Sequence, residues 1–296
     1  MKLVISNRNC SVILLIIASV GMSFGGLIMR NINYADVWQI SFFRALGFIF
    51  SLTIILFHKY RSAIVVNIKN IGHAGIIGGI FLMIANLLFV LSFSETTIAN
   101  TLFTLSSIPF ITSILAFIIL KEKISLRTIL IMLFALIGIF IMIKDGLETS
   151  GFYGNILALG CAICFSGFII IVRKYNKIDM IPTSLVSGII LAIVTFVVSL
   201  GNVDIPIEDF LLCFFWGAVL HGFMNSVFIF ATRFLYASEV TLFLLLGFAL
   251  GPFWVWIFLD ETISQKTLYG GLIVMISVAT YSIIEGFNQK NITKSD

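Results

Sequence analysis

Ten long apolar runs follow one another along this chain of 296 residues, at 11–29, 37–57, 73–93, 97–120, 127–143, 152–172, 183–200, 210–230, 239–259 and 268–286. A helix that crosses a bilayer needs about 20 mostly apolar residues. Lipid offers backbone groups no hydrogen-bond partner, so only helices or closed barrels span it. Barrel strands are about 10 residues long and alternate apolar with polar side chains. These runs are too long and too continuous for that. The expected fold is an all-α membrane protein with ten transmembrane helices. The connections are short, and none is long enough to form a separate domain.

The charges say the same. Charged residues make up 11% of the chain, against about 25% in a soluble domain. That is too few to coat a soluble surface, which excludes a soluble enzyme, a nucleic-acid binder and a disordered chain. Run 11–29 follows Lys2 and Arg8, but no small-residue cleavage site comes after it. It is expected as a retained span rather than a leader. Cys10, Cys161, Cys164 and Cys213 lie in or beside apolar runs and are expected as free thiols. The pair Cys161 and Cys164 has no second pair elsewhere and reads as packing.

Lys and Arg set the orientation. With the N-terminus in the cytoplasm, the inside segments carry 14 of them and the outside segments 3, with Arg44 within a span. The outside connection 201–209 holds Asp204, Glu208 and Asp209 and no base. Both termini are expected inside, in a multi-pass protein of the cell (inner) membrane.

The two halves of the chain resemble each other. Asn86 with Phe89 returns as Asn225 with Phe228, and Thr101-Leu102-Phe103 returns as Thr241-Leu242-Phe243. Lys121-Glu122-Lys123-Ile124-Ser125 returns as Asp260-Glu261-Thr262-Ile263-Ser264. The order is kept and the offset is nearly constant. The repeat unit holds five helices, an odd number, so the second copy enters the membrane from the opposite side. A 5+5 inverted repeat is expected, with residues 1–145 as the first five-helix unit, 150–286 as the second, and 287–296 as a cytoplasmic tail. Inverted repeats of this kind recur in secondary transporters, with the substrate near the midplane between the halves.

With Phe42-Phe43-Arg44 early in helix 2, a Pro-bearing helix 4 that ends in Lys-Glu-Lys-Ile-Ser, and the matching Glu-x-Ile-Ser corner after helix 9, the chain resembles the drug/metabolite transporter superfamily, specifically its EamA-like members. The resemblance covers nearly the whole chain. The halves differ in one respect: Pro109 stands 13 residues before Glu122, but Pro252 stands 9 before Glu261. The resemblance implies export, uptake or exchange of a small polar metabolite such as an amino acid or a nucleoside-like compound.

Arg44 is the one Lys or Arg well inside a span. By helical rise it lies roughly 10 Å below the start of helix 2, where a charge costs about 2.5–3.5 kcal/mol unless it is paired or hydrated. Ser41, Arg44, Phe48 and Ser51 share one face. That face reads as a site for an anionic group held by the guanidinium; the alternative is an arginine snorkelling outward. His221 lies mid-span in helix 8 with Asn225 one turn on. Histidine titrates near neutral pH, so His221 is also the candidate for a coupling proton. Asn86 is the repeat mate of Asn225, and an amide in lipid must bond to substrate or to another helix. Thr101, repeated as Thr241, and Trp216 complete the expected substrate-binding set of Arg44, Asn86, Thr101, Trp216, His221 and Asn225. Glu95 is expected to open helix 4 at its N-terminus, and Trp254 to anchor a span at the interface.

No His-Glu-x-x-His or Gly-x-x-x-x-Gly-Lys-Ser/Thr motif is present, and no carboxylate cluster offers metal ligands. An enzyme is not expected, nor a cofactor, nor a metal. The expectation is a secondary transporter working by alternating access. A channel or a non-catalytic membrane subunit is the alternative. The expected partners are a small-molecule substrate and the lipid bilayer, with a homodimer left open and no nucleic acid.

Overall fold

The apolar runs fold as helices. The computed structural model describes residues 2–61, 64–121, 126–148, 151–175, 178, 180–227, 237–259 and 262–292. The Glu122 and Glu261 corners and Phe228 fall outside them, as does the side chain of Thr241. Thirteen α-helices are distinguished in chain order: α1 (Lys2–Ser23), α2 (Gly25–Asn31), α3 (Val37–Tyr60), α4 (Ile64–Asn70), α5 (Gly72–Glu95), α6 (Ile98–Leu105), α7 (Ile108–Leu120), α8 (Leu126–Glu148), α9 (Phe152–Lys174), α10 (Ile181–Val198), α11 (Ile207–Phe215), α12 (Ala237–Leu259) and α13 (Gln265–Ile292). A π-helical segment, Trp216–Phe223, continues α11.

Among the described residues, seven stretches are long and apolar enough to cross a membrane: Cys10–Asn31, Val37–Tyr60, Gly72–Glu95, Ile98–Leu120, Phe152–Lys174, Ile181–Val198 and Ile207–Val227. The runs expected at 127–143, 239–259 and 268–286 are helical as α8, α12 and α13. Among the described residues, α8 and α12 hold shorter apolar stretches, Ile129–Ile141 and Leu246–Leu259. Among the described residues, seven of the ten expected crossings therefore meet the length and apolarity that a span requires.

Local chemistry sets where the helices start. Asp36 caps α3: its Oδ1 accepts from the backbone N–H of Trp38 and Gln39, both at 2.8 Å, and Gln39 Oε1 accepts from Asp36 N–H at 2.9 Å. This reciprocal box satisfies donors that the first helical turn leaves orphaned. Thr97 caps α6 by accepting from Asn100 N–H at 3.1 Å. Glu95 therefore does not open helix 4; it is the exposed last residue of α5, because a hydroxyl two residues on already serves the N-terminus. That helix is itself in two pieces, broken at Ser106-Ser107, with Pro109 in the first turn of α7, where its missing N–H costs nothing.

Most of the closest helix pairs join the two halves of the chain. The closest partners are α5 with α9, α8 with α13, α3 with α10 and the π segment, and α1 with α12. One end of the bundle is tied by polar bonds. Asp209, in the first turn of α11, accepts from the backbone N–H of Asn33 (3.3 Å), Tyr34 (2.8 Å) and Ala35 (2.8 Å). Arg30 donates to the carbonyls of Phe93 (3.0 Å) and Thr96 (2.9 Å). Gln39 Nε2 reaches the carbonyls of Asn202 and Asp204 at 3.3 and 3.4 Å. Beside them a buried chain links α13, α6 and α9 through the turn that joins α5 to α6: Thr267 Oγ1 donates to Asn100 Oδ1 at 2.7 Å, Asn100 Nδ2 to Thr96 Oγ1 at 3.0 Å, and Thr96 Oγ1 to Asn155 Oδ1 at 3.4 Å.

Candidate functional site

Arg44 follows the Asp36 cap by eight residues, roughly 12 Å down α3. It is 2% exposed, and Ser41, Phe48 and Ser51 on the same face are buried with it. The face expected from sequence points inward, so Arg44 does not snorkel. Its Nη2 donates to the Asn86 carbonyl at 3.0 Å and to Asn86 Oδ1 at 3.4 Å. Its Nη1 lies 3.3 Å from His221 Nδ1. A guanidinium only donates, so Nδ1 accepts and the imidazole proton sits on Nε2. The guanidinium carbon stands 5.0 Å from the Trp216 ring centroid and 5.9 Å from that of Phe89. Arg44 Nε has no hydrogen-bond partner.

The π segment makes this cluster possible. Five residues along an α-helix turn through about 140° beyond a full turn, which would send Trp216 and His221 to different sides. Hydrogen bonds from i to i+5 bring them back together, and both meet the Arg44 guanidinium. Two glycines allow the segment to lie on α3. A Cβ on Gly217 would collide with the Arg44 carbonyl oxygen, and one on Gly47 with the Phe214 carbonyl oxygen. His221 is held from its other side by Phe48, stacked at 4.4 Å and 18°.

Arg44, Asn86, Phe89, Trp216 and His221 stand on the wall of a cavity of about 170 Å³. Both halves of the chain contribute: Ser19, Arg44, Asn86 and Phe89 from the first, Trp216 and His221 from the second. The walls are otherwise almost wholly apolar or aromatic. Among the described residues no Asp or Glu lines the cavity. A buried cation therefore stands beside an apolar space without a carboxylate to neutralise it, and such an isolated charge is costly.

Of the six residues expected to meet a substrate, Arg44, Asn86, Trp216 and His221 line this cavity; Thr101 and Asn225 do not. Thr101 is fully buried, and its hydroxyl shares a 2.7 Å bond with Ser92, so it serves packing between α5 and α6. Asn225 lies past the end of the π segment, half-buried and away from the cavity wall. Trp254, expected at the interface, is tied to the first helices: its Nε1 donates to Ser23 at 2.8 Å and its ring stacks on Phe24 at 4.9 Å. Cys161, one of four free cysteines, joins the cavity wall. Sequence reasoning missed Ser19, whose signal is its spacing of one turn before Ser23 beside Gly21, Gly25 and Gly26.

Comparison with known proteins agrees with this architecture. Residues 9–144 match the EamA-like transporter family. Solute carrier family 35 member G1 of Mus musculus is 29% identical over 167 residues, covering 52% of this chain and 45% of that protein. The match thus spans less than half of that relative. A protein of known crystal structure superposes with a TM-score of 0.62 at 11% identity, covering 94% of this chain and 99% of its own; this likeness concerns the fold alone. Over residues 9–144, the first part of the chain, this protein is similar to the EamA-like transporter family.

Proposed function

We propose that the chain is a secondary transporter of a small organic anion, that it works by alternating access, and that Arg44 holds the anion's carboxylate. One observation carries the reading: Arg44, 2% exposed and with an unpaired Nε, on a cavity that no Asp or Glu among the described residues lines. The groups around it agree. His221 presents Nε2–H once Nδ1 accepts from Arg44, and Asn86 has its Nδ2 to offer. Three kinds of N–H donor around one apolar space suit an anion. The volume suits a small one, since a cavity of roughly 150 Å³ admits benzene.

The same reading takes α8, α12 and α13 as crossings, making ten in a 5+5 inverted repeat, in the inner membrane with both termini cytoplasmic. The Lys and Arg distribution supports it. His221 is the proposed carrier of a coupling proton. A second proton on its ring would remove the acceptor for Arg44 and set two cations side by side, which ties proton binding to the grip on the anion.

The test is transport by the purified chain in liposomes. Exchange of a labelled carboxylate against the unlabelled compound inside is expected, and it is lost in Arg44→Ala. His221→Gln keeps exchange and loses accumulation driven by a proton gradient. Uptake indifferent to Arg44, or to internal substrate, would overturn the reading.

A further inference from the structure

Ser19 is the polar residue on the cavity wall that the Arg44 cluster leaves unused. It lies on α1, 3% exposed, and its Oγ has no hydrogen-bond partner. A serine within a helix ordinarily returns its hydroxyl to a carbonyl one turn back. Ser113 does so to Pro109 at 2.8 Å, Ser226 to Gly222 at 2.8 Å and Ser277 to Ile273 at 2.7 Å. Ser23, the other serine on the wall, donates to Val20 at 2.6 Å and accepts from Trp254. Ser41, Thr104, Thr112 and Ser187 also hold unpaired buried hydroxyls, but none of them lines the cavity. A hydroxyl withdrawn from water and given no partner is unfavourable. At Ser19 the missing partner has somewhere to sit.

We infer that Ser19 receives a second polar substituent of the transported acid and that this substituent is an uncharged hydroxyl. The inference rests on the carboxylate reading at Arg44. The walls decide the charge. Among the described residues no Asp or Glu faces the cavity, and its one fixed charge is the Arg44 cation. An ammonium group there would be buried beside a like charge with no counter-ion, whereas a hydroxyl can both donate to Ser19 and accept from it. The substrate class is a hydroxy acid with a small apolar body. Ser19 tells it from the unsubstituted acid, and the absence of a wall carboxylate tells it from the amino acid.

Two matched series test this: phenylacetate, mandelate and phenylglycine, then butanoate, 2-hydroxybutanoate and 2-aminobutanoate. Each is titrated in detergent against wild type, Ser19→Ala and Arg44→Ala. In the series that binds wild type, the hydroxy acid is expected to bind roughly 3- to 10-fold tighter than the plain acid, and the amino acid weakest. Ser19→Ala should keep the plain acid's affinity within about twofold, which shows the site intact, and lose the preference for the hydroxyl. Ser19→Cys, close in shape and a weaker hydrogen-bonder, stands in if the alanine variant does not fold, with the same reading. No preference in wild type, a preference that survives at residue 19, or tightest binding by the amino acid overturns the inference while leaving Arg44 as the anion site. Failure of every acid to bind wild type, or undiminished binding by Arg44→Ala, overturns the carboxylate reading and the inference with it.

Discussion

The tied end of the bundle and the central cavity are both polar islands in an apolar protein, yet they treat hydrogen bonds in opposite ways. At the tied end, Thr267, Asn100, Thr96 and Asn155 bond one another in sequence, and the Asp209 carboxylate is filled by three backbone donors. In the cavity, a full positive charge has neutral partners, one unpaired N–H, and an unpaired serine hydroxyl on the same wall. Buried polar groups that satisfy one another hold a structure together. Groups left over beside a cavity await something from outside. Substitutions at the tied end should therefore change stability, and substitutions in the cavity should change affinity.

The sharpest contrast comes from Arg44→Ala. Losing the charged partner of a buried group costs about 2–5 kcal/mol, which is roughly 30-fold to several-thousand-fold in affinity for the acid that wild type binds best. Arg44→Lys keeps the charge without the planar fork and should fall between. Titration on folded, monodisperse protein measures both. If Arg44→Ala binds normally, or aggregates while every cavity variant with Arg44 intact folds, the guanidinium is a structural member like those of the tied end.

Gly217→Val probes the seam between the two behaviours. The added side chain meets the Arg44 backbone across the π segment, and overpacking of this kind costs about 1–3 kcal/mol. A lower thermal midpoint and weaker acid binding are expected together, because the same contact holds Trp216 and His221 against Arg44. An unchanged midpoint with unchanged binding would mean that the π segment has slack the geometry does not suggest.

The sequence made some of this legible and concealed the rest for physical reasons. Long apolar runs announce helices because lipid permits little else, and Arg44 announces itself because a charge at that depth needs a cause. Asn86 stood out as an amide in lipid. The union of Trp216 with His221 was hidden, since α-helical arithmetic separates them and nothing in the Phe215–Met224 sequence announces a π turn. Thr101 repeated well yet turned to Ser92, because a repeat marks a place in a fold and not a ligand. Ser19 was lost among many helical serines; only its missing bond distinguishes it. The Asp36 box was present as Asp-x-x-Gln, a spacing that reads as a cap once the helix start is known.

Trp216→Leu should give a smaller effect confined to the cavity. Cation–π contact with a buried guanidinium is worth about 0.5–2 kcal/mol, and leucine keeps the wall apolar. Acid affinity is expected to drop by roughly 2- to 30-fold. If only the thermal midpoint moves, the ring is packing for α11 and no part of the site.

The smallest effect belongs to the tied end. Thr267→Val keeps the branched shape and removes the hydroxyl that donates to Asn100 at 2.7 Å. Interhelical hydrogen bonds within membranes average about 0.6 kcal/mol and reach about 1.7, so the thermal midpoint should fall slightly. The loss stays small because Asn100 keeps its bond to Thr96 and the rest of the chain through Asn155 is untouched. Acid affinity should stay within about twofold of wild type, as the hydroxyl faces the polar chain and not the cavity. Measuring midpoint and affinity on one preparation decides the matter. A Thr267→Val protein of normal midpoint but altered affinity would mean that the satisfied end and the unsatisfied cavity are energetically one site.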